Sequence, residues 1–140
     1  VAHARGIDVV ESRSARARHL TSLIGVKLQT SDGERWVEGT VFEPNIPRLV
    51  SVQGVNVEAP LSGTLLVIAN DDQPGVIGEV GTILGRHGVN IASFALGRSE
   101  SGAIGVVNVD AEKSPPEALE AAVEAIGRAP HVRDAWVIRL

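Results

Sequence analysis

From Leu65 onward the hydrophobic pattern changes period in a fixed order, and that order leaves few folds open. An apolar run, Leu65 to Asn70, has the length and β-branched content of a buried strand. Gly75 to about His87 then places Val76, Ile77, Val80, Ile83 and Leu84 on one broad helical stripe, with Glu79, Thr82 and Arg86 opposite, and Gly88 stands where a left-handed residue ends a helix. Asn90–Leu96 and Ala103–Asp110 read as two strands joined through Gly97–Gly102. Ser114-Pro115-Pro116-Glu117 reads as a capping box, with Ser114 as the cap and Glu117 reaching back. A helix seam of Leu119, Val123 and Ile126 comes next, and Val132–Leu140 closes the series as a strand. Strand, helix, strand, strand, helix, strand is a split βαβ pair. The expected fold class is α+β: a ferredoxin-like βαββαβ unit whose antiparallel four-stranded sheet carries both helices on one face. The other face must be solvated or covered by a partner.

Ahead of this unit the pattern is mostly β. Ile7–Val10 reads as a short strand, and Ile24, Val26 and Leu28 alternate with Gly25, Lys27 and Gln29 as on a half-buried strand. An Asp32-Gly33 hairpin turn leads into a strand over Arg35–Glu43, which Pro44 and Pro47 end, and Gln53-Gly54 predicts a second hairpin between Val50/Val52 and Val55/Val57. The turn-rich hinge Ala59–Gly63 divides residues 1–62, a partial and mostly β domain, from residues 63–140. With so little helix to cover it, the first sheet is expected to lean on structure outside the chain.

Composition removes several classes of function. The net charge of −4 disfavours a nucleic-acid surface, the absence of cysteine removes thiolate metal sites and disulfides, and no apolar run approaches membrane-spanning length. No signal peptide is visible, but targeting information could lie on a missing part; the expected compartment is the cytoplasm. With only four aromatic residues, the core must be built from Val, Ile, Leu and Ala. There is no methionine, even at position 1, so the chain is read as a piece of a longer protein.

The chemistry gathers at Asn70-Asp71-Asp72-Gln73-Pro74-Gly75, where the first strand of the βαββαβ unit meets its helix. A free amino acid could set its carboxylate on the helix amides of Gly75, Val76 and Ile77, and its ammonium on Asp72. Asn70 and Asn90 would hydrogen-bond its remaining polar groups. This requires the first strand-to-helix loop and the start of the second strand to share one end of the sheet. The competing reading is that Asp71 or Asp72 merely caps the helix and Asn90 stabilises a turn. Gly78, Gly81 and Gly85 form a stripe that suggests a closely approaching backbone, but the glycines never give G-x-G-x-x-G. His3, His19, His87 and His131 share no metal-ligand spacing. Arg13, Arg16, Arg18 and His19 make a small basic cluster, and Arg48 is a lone cation on a strand edge. No nucleophile has a base near it, so neither a catalytic nor a metal site is expected.

The run Asp72–Gly78, continued through Gly81-Thr82-Ile83-Leu84-Gly85, Gly88–Ala92 and Gly105–Asp110, resembles the ACT domains, small regulatory modules that commonly bind amino acids between two copies. More narrowly it is similar to the C-terminal regulatory part of the D-3-phosphoglycerate dehydrogenase family. Thr21-Ser22-Leu23-Ile24, Gly39–Phe42 and Pro47–Val50 resemble that family's intervening domain, in which substrate-like anions bind allosterically. The resemblance implies serine contacts at Asn70, Asp72 and Asn90, and anion binding at Arg48, although the second cation expected there falls on Pro60. It further implies L-serine or a similar small amino acid as ligand, a homo-oligomer, and a parent catalytic domain using NAD, with no cofactor held in this chain. Two alternatives stand beside it: the β-subunit region of an iron–sulfur L-serine dehydratase, and an oligomerisation module without ligand.

Overall fold

The computed structural model describes residues 3–13 and 22–140. It contains two antiparallel four-stranded sheets in the orders β1-β2-β3-β4 and β6-β7-β5-β8. The first sheet comprises β1 (Ile24–Thr30), β2 (Gly33–Phe42), β3 (Ile46–Val52) and β4 (Val55–Pro60). The second comprises β5 (Thr64–Asn70), β6 (Ile91–Ser99), β7 (Gly102–Val109) and β8 (Val132–Arg139), with α1 (Val76–Arg86) and α2 (Pro116–Gly127). This is the α+β, βαββαβ architecture expected from Leu65 onward.

The local signals work where they are self-contained. Gln53 and Gly54, with φ of 52° and 79°, form the two-residue turn between Val52 and Val55, since both central positions of such a turn need positive φ. At the end of α1, Gly88 has φ 72°; its amide reaches Gly85 O at 3.0 Å, and that of Val89 reaches Leu84 O at 2.9 Å, which satisfies the last carbonyls. Other expectations fail. Ile7–Val10 forms no strand and lies exposed. Pro47 does not end a strand but pairs with Val41 inside β3, and its carbonyl accepts from Leu61 N. Gly97 is inside β6, not in the connection to β7. Ser114 does not cap α2; its hydroxyl accepts the Asn90 amide at 2.9 Å, and Pro115 occupies the cap position with no side-chain hydrogen bond.

Alternation along β5 sorts the core into two layers. Leu66 and Ile68 face the helices, packing with Val80, Leu84, Leu119, Ala122 and Ile126. Val67 faces the other way and packs with Ile104 and Val106 against Leu49, Val52, Val55, Val57 and Ala59 of the first sheet. The face that sequence reasoning left to solvent or a partner is therefore covered by β3 and β4 of the same chain, and every residue of β7 is buried. Correspondingly, the first sheet leans on the second. The Ala59–Gly63 segment is not a loose joint: Ala59 is fully buried, and the Nδ2 of buried Asn108 donates to Pro60 O and Ser62 O at 3.2 and 3.3 Å. Along β1 and β2, Val26, Leu28 and Val37 remain exposed.

The glycine stripe of α1 faces open space: a Cβ at Gly78, Gly81 or Gly85 would meet nothing within 4 Å. The close backbone inferred from the sequence is absent from the described residues. Gly85→Ala is therefore expected to stabilise the helix by up to about 1 kcal/mol and raise the melting temperature by about 3 °C. A lowered melting temperature in calorimetry would mean that the stripe is covered in solution.

Candidate functional site

The loop between β5 and α1 is fastened on both flanks. Asp71 reaches the start of β8, where Arg133 Nε and Nη2 lie 2.7 and 2.6 Å from its Oδ1, and His131 Nδ1, just ahead of that strand, lies 3.5 Å from its Oδ2. Arg133 is further committed through Nη1 to Ser101 O at 2.6 Å. Asp72 reaches the opposite way, to β6: Arg98 Nε donates to both its oxygens at 2.9 and 2.8 Å, and Nη2 lies 2.7 Å from Oδ2. The hydrogen bond from Arg133, seconded by charge and by His131, holds the Asp71 carboxyl below the usual aspartate range. A carboxyl lowered on folding contributes stability above its unfolded pKa and loses it as pH falls through the folded value, that is, below about pH 4.

Because both carboxylates are spent on arginines, neither caps α1. Gly75 holds the cap position at φ 94° with no side-chain hydrogen bond. The leading amides of α1, those of Val76, Ile77 and Gly78, have no side-chain acceptor among the described residues, and unpaired amides at a helix start favour an anion. Asn70, 3 % exposed, donates through Nδ2 to Asp71 O at 2.7 Å, and its Oδ1 is buried without a partner. A buried acceptor left unpaired carries a desolvation penalty that a donor would remove.

Asn90 does not join them. Asn70 pairs with Ala103, whereas Thr64 and Ile91 both pair with Val109. β6 is thus parallel to β5 and begins at the opposite end of the sheet, about 20 Å away along the strands. The expectation of a common end is wrong for one chain, because α1 carries the backbone back across the sheet before β6 starts. Asn90 is exposed there, donating to Asp110 Oδ2 at 3.3 Å. Lys113 first, and Asn90 as well, keep the Asp110 carboxyl below its ordinary range.

Arg48 lies directly opposite Pro60, the position where a second cation was sought. Its Nη2 is 3.1 Å from Glu58 Oε1, and its buried Nε has no partner among the described residues. In the basic cluster only Arg13 is described, paired with Glu11 at 2.8 Å; Arg16, Arg18 and His19 lie outside the described residues. Among the described residues no His, Cys, Asp or Glu cluster could hold a metal, and no helix is long and apolar enough to cross a membrane.

A cleft of about 610 Å³ opens elsewhere, between β1–β2 and the second sheet, with Val26, Val37, Val52, Trp36 and Trp136 in its walls. Its walls are mostly hydrocarbon, with Arg35, Arg133 and Asp134 also lining it, and Arg133 is shared with the flank of the β5–α1 loop. The residues that sequence reasoning missed are Arg98 and Arg133. Both are ordinary strand-end cations in the sequence, and only the sheet order brings them to the aspartates.

The fold agrees with the family comparison. Residues 63–127 match the ACT domain, and residues 1–53 match the D-3-phosphoglycerate dehydrogenase intervening domain. The chain carries an ACT domain, a regulatory module, behind an intervening-domain segment. It is 36% identical over 86% of its length to D-3-phosphoglycerate dehydrogenase of Archaeoglobus fulgidus, covering 23% of that protein. It is 31% identical over its whole length to the Methanocaldococcus jannaschii enzyme of that name, covering 26% of it. A third relative of the same name, from Bacillus subtilis, is 36% identical over 73% of the chain, which covers 19% of that protein. The chain therefore belongs with the C-terminal regulatory part of the D-3-phosphoglycerate dehydrogenases, and it spans about a quarter of the length of the first two relatives.

Proposed function

We propose that this chain regulates an NAD-dependent D-3-phosphoglycerate dehydrogenase of serine biosynthesis by binding L-serine, or a similar small amino acid, at the start of α1. The orphaned, buried Oδ1 of Asn70 beside an uncapped helix start carries this reading. It is an acceptor in want of a donor, next to amides in want of an anion, and a zwitterion supplies both. Asp72 takes the ammonium. Because Asn90 stands at the far end of its own sheet, it serves the site of a second copy, and the ligand bridges the pair. Serine then biases catalysis only through its differing affinity for two arrangements of the assembly. The catalytic domain and its NAD belong to the parent protein, within the cytoplasm. Arg48, with its unpaired Nε, takes a substrate-like anion in competition with Glu58.

Titration calorimetry with L-serine tests the site. Wild type is expected to bind saturably, and Asn70→Ala, Asp72→Ala and Asn90→Ala to weaken binding about 10- to 100-fold each. Equal heats in all four proteins would remove these residues from the site. Mixing Asp72→Ala with Asn90→Ala is expected to restore about a quarter of the wild-type sites by forming mixed pairs. No recovery on mixing would refute the shared site.

A further inference from the structure

We propose that Arg98 is the specificity-determining carboxylate contact of this site, and that the Asp72–Arg98 ion pair is a closed receptor which a zwitterion opens. The inference rests on the amino-acid reading above and goes beyond it, because nothing in that reading assigns a role to Arg98.

The two arginines flanking the loop behave differently. Arg133 is tied to Asp71 and to the Ser101 carbonyl, so withdrawing it breaks two fastenings. Every side-chain hydrogen bond that Arg98 makes among the described residues goes to the Asp72 carboxylate, and its side chain is 67% exposed. Asp72 is partly exposed as well, at 34%. Both partners reach solvent, so the pair is screened and its charges are open to exchange with another ion. Both Asp72 oxygens face the one guanidinium, so an arriving ammonium takes the carboxylate fully only where Arg98 withdraws.

Charge balance selects the ligand. An amine alone would displace Arg98 and leave a guanidinium without a counter-ion, exchanging one ion pair for another. A carboxylic acid alone would strand Asp72 in the same way. A free amino acid supplies both charges: its ammonium replaces Arg98 on Asp72, and its carboxylate receives Arg98. One ion pair becomes two with no change in net charge. The planar guanidinium also matches a carboxylate in two-point geometry, which the α1 amides can supplement. The resting pair thus discriminates against ligands that lack either charge.

The experiment is calorimetry on the full chain with L-serine and with L-serinamide, which retains the ammonium and hydroxyl but carries no carboxylate. Wild type is expected to prefer L-serine by at least about tenfold. In Arg98→Ala that preference should collapse toward unity, with L-serine weakened and L-serinamide unchanged or improved because Asp72 is no longer occupied. Arg98→Lys should recover part of the preference through its remaining charge. If wild type binds L-serine and Arg98→Ala keeps the wild-type ratio, Arg98 has no part in recognition and the inference falls alone. A wild type that binds neither compound removes the amino-acid reading, and this inference with it. Both variants should melt with wild type, since Arg98 is exposed; a tenfold loss of L-serine binding with an unaltered ratio would mark Arg98 as merely holding the loop and would also overturn the proposal.

Discussion

Gly97→Val is expected to lower the melting temperature by roughly 10 °C, a loss of about 3 kcal/mol, by forcing the interface between the two sheets apart. Gly97 is buried within β6 where β4 crosses it. A Cβ there would overlap Asn56 O outright and stand 2.9 Å from Asn56 C and 3.0 Å from Val55 Cγ1. The obstacle is backbone, so no rotamer change relieves it, and β4 must lift from the second sheet. Val55 and Val57 would then lose their cover. Thermal unfolding followed by circular dichroism reads this directly. A melting temperature within about 2 °C of wild type would show that β4 does not pack there in solution.

Gly102→Ala is expected to cost about 3 kcal/mol and to loosen the site at the same time. Gly102 opens β7 at φ 133°, where an L side chain is strained, and its Cβ would meet Asn70 O at 2.7 Å and Arg133 Nη2 at 2.9 Å. The guanidinium can swing away, but the Asn70 carbonyl cannot. Arg133 therefore gives way, and Asp71 loses the hydrogen bond that lowers its carboxyl. The Asp71 carboxyl should move up toward the ordinary aspartate range, as read by NMR titration. Linkage sets the sign: a lowered carboxyl stabilises only above about pH 4, so the gap between wild type and variant should narrow from pH 7 to pH 3. An Asp71 titration identical to wild type would show that Arg133 keeps its place.

How much of the fold and the site is legible in the sequence depends on the distance over which each signal acts. The Gln53-Gly54 turn and the Gly88 stop are readable because a few adjacent residues decide them. The period of the Leu65–Leu140 pattern is enough for the element order. Ser114 misleads because its spacing to Glu117 is that of a cap, while its actual partner, the Asn90 amide, is 24 positions away. The same blindness hides Arg98 and Arg133, which meet the loop aspartates only once β6 and β8 flank the β7–β5 pair. Proximity along the chain puts Asn90 with Asn70, although the parallel crossover separates them in space. The cover over Val67, Ile104 and Val106 escapes notice because β3 and β4 bear the alternation of any half-buried hairpin, and alternation does not name its counterpart.

The Asn108 carboxamide, holding the Pro60 and Ser62 carbonyls from the central strand, has a mechanical consequence. Together with the packed layer between them, that grip resists a swivel of the two sheets about the crossing chain. With it, and with the apolar layer that β3 and β4 share with β5 and β7, the two sheets are clamped where they cross, while the β1–β2 end stands off the second sheet across the cleft.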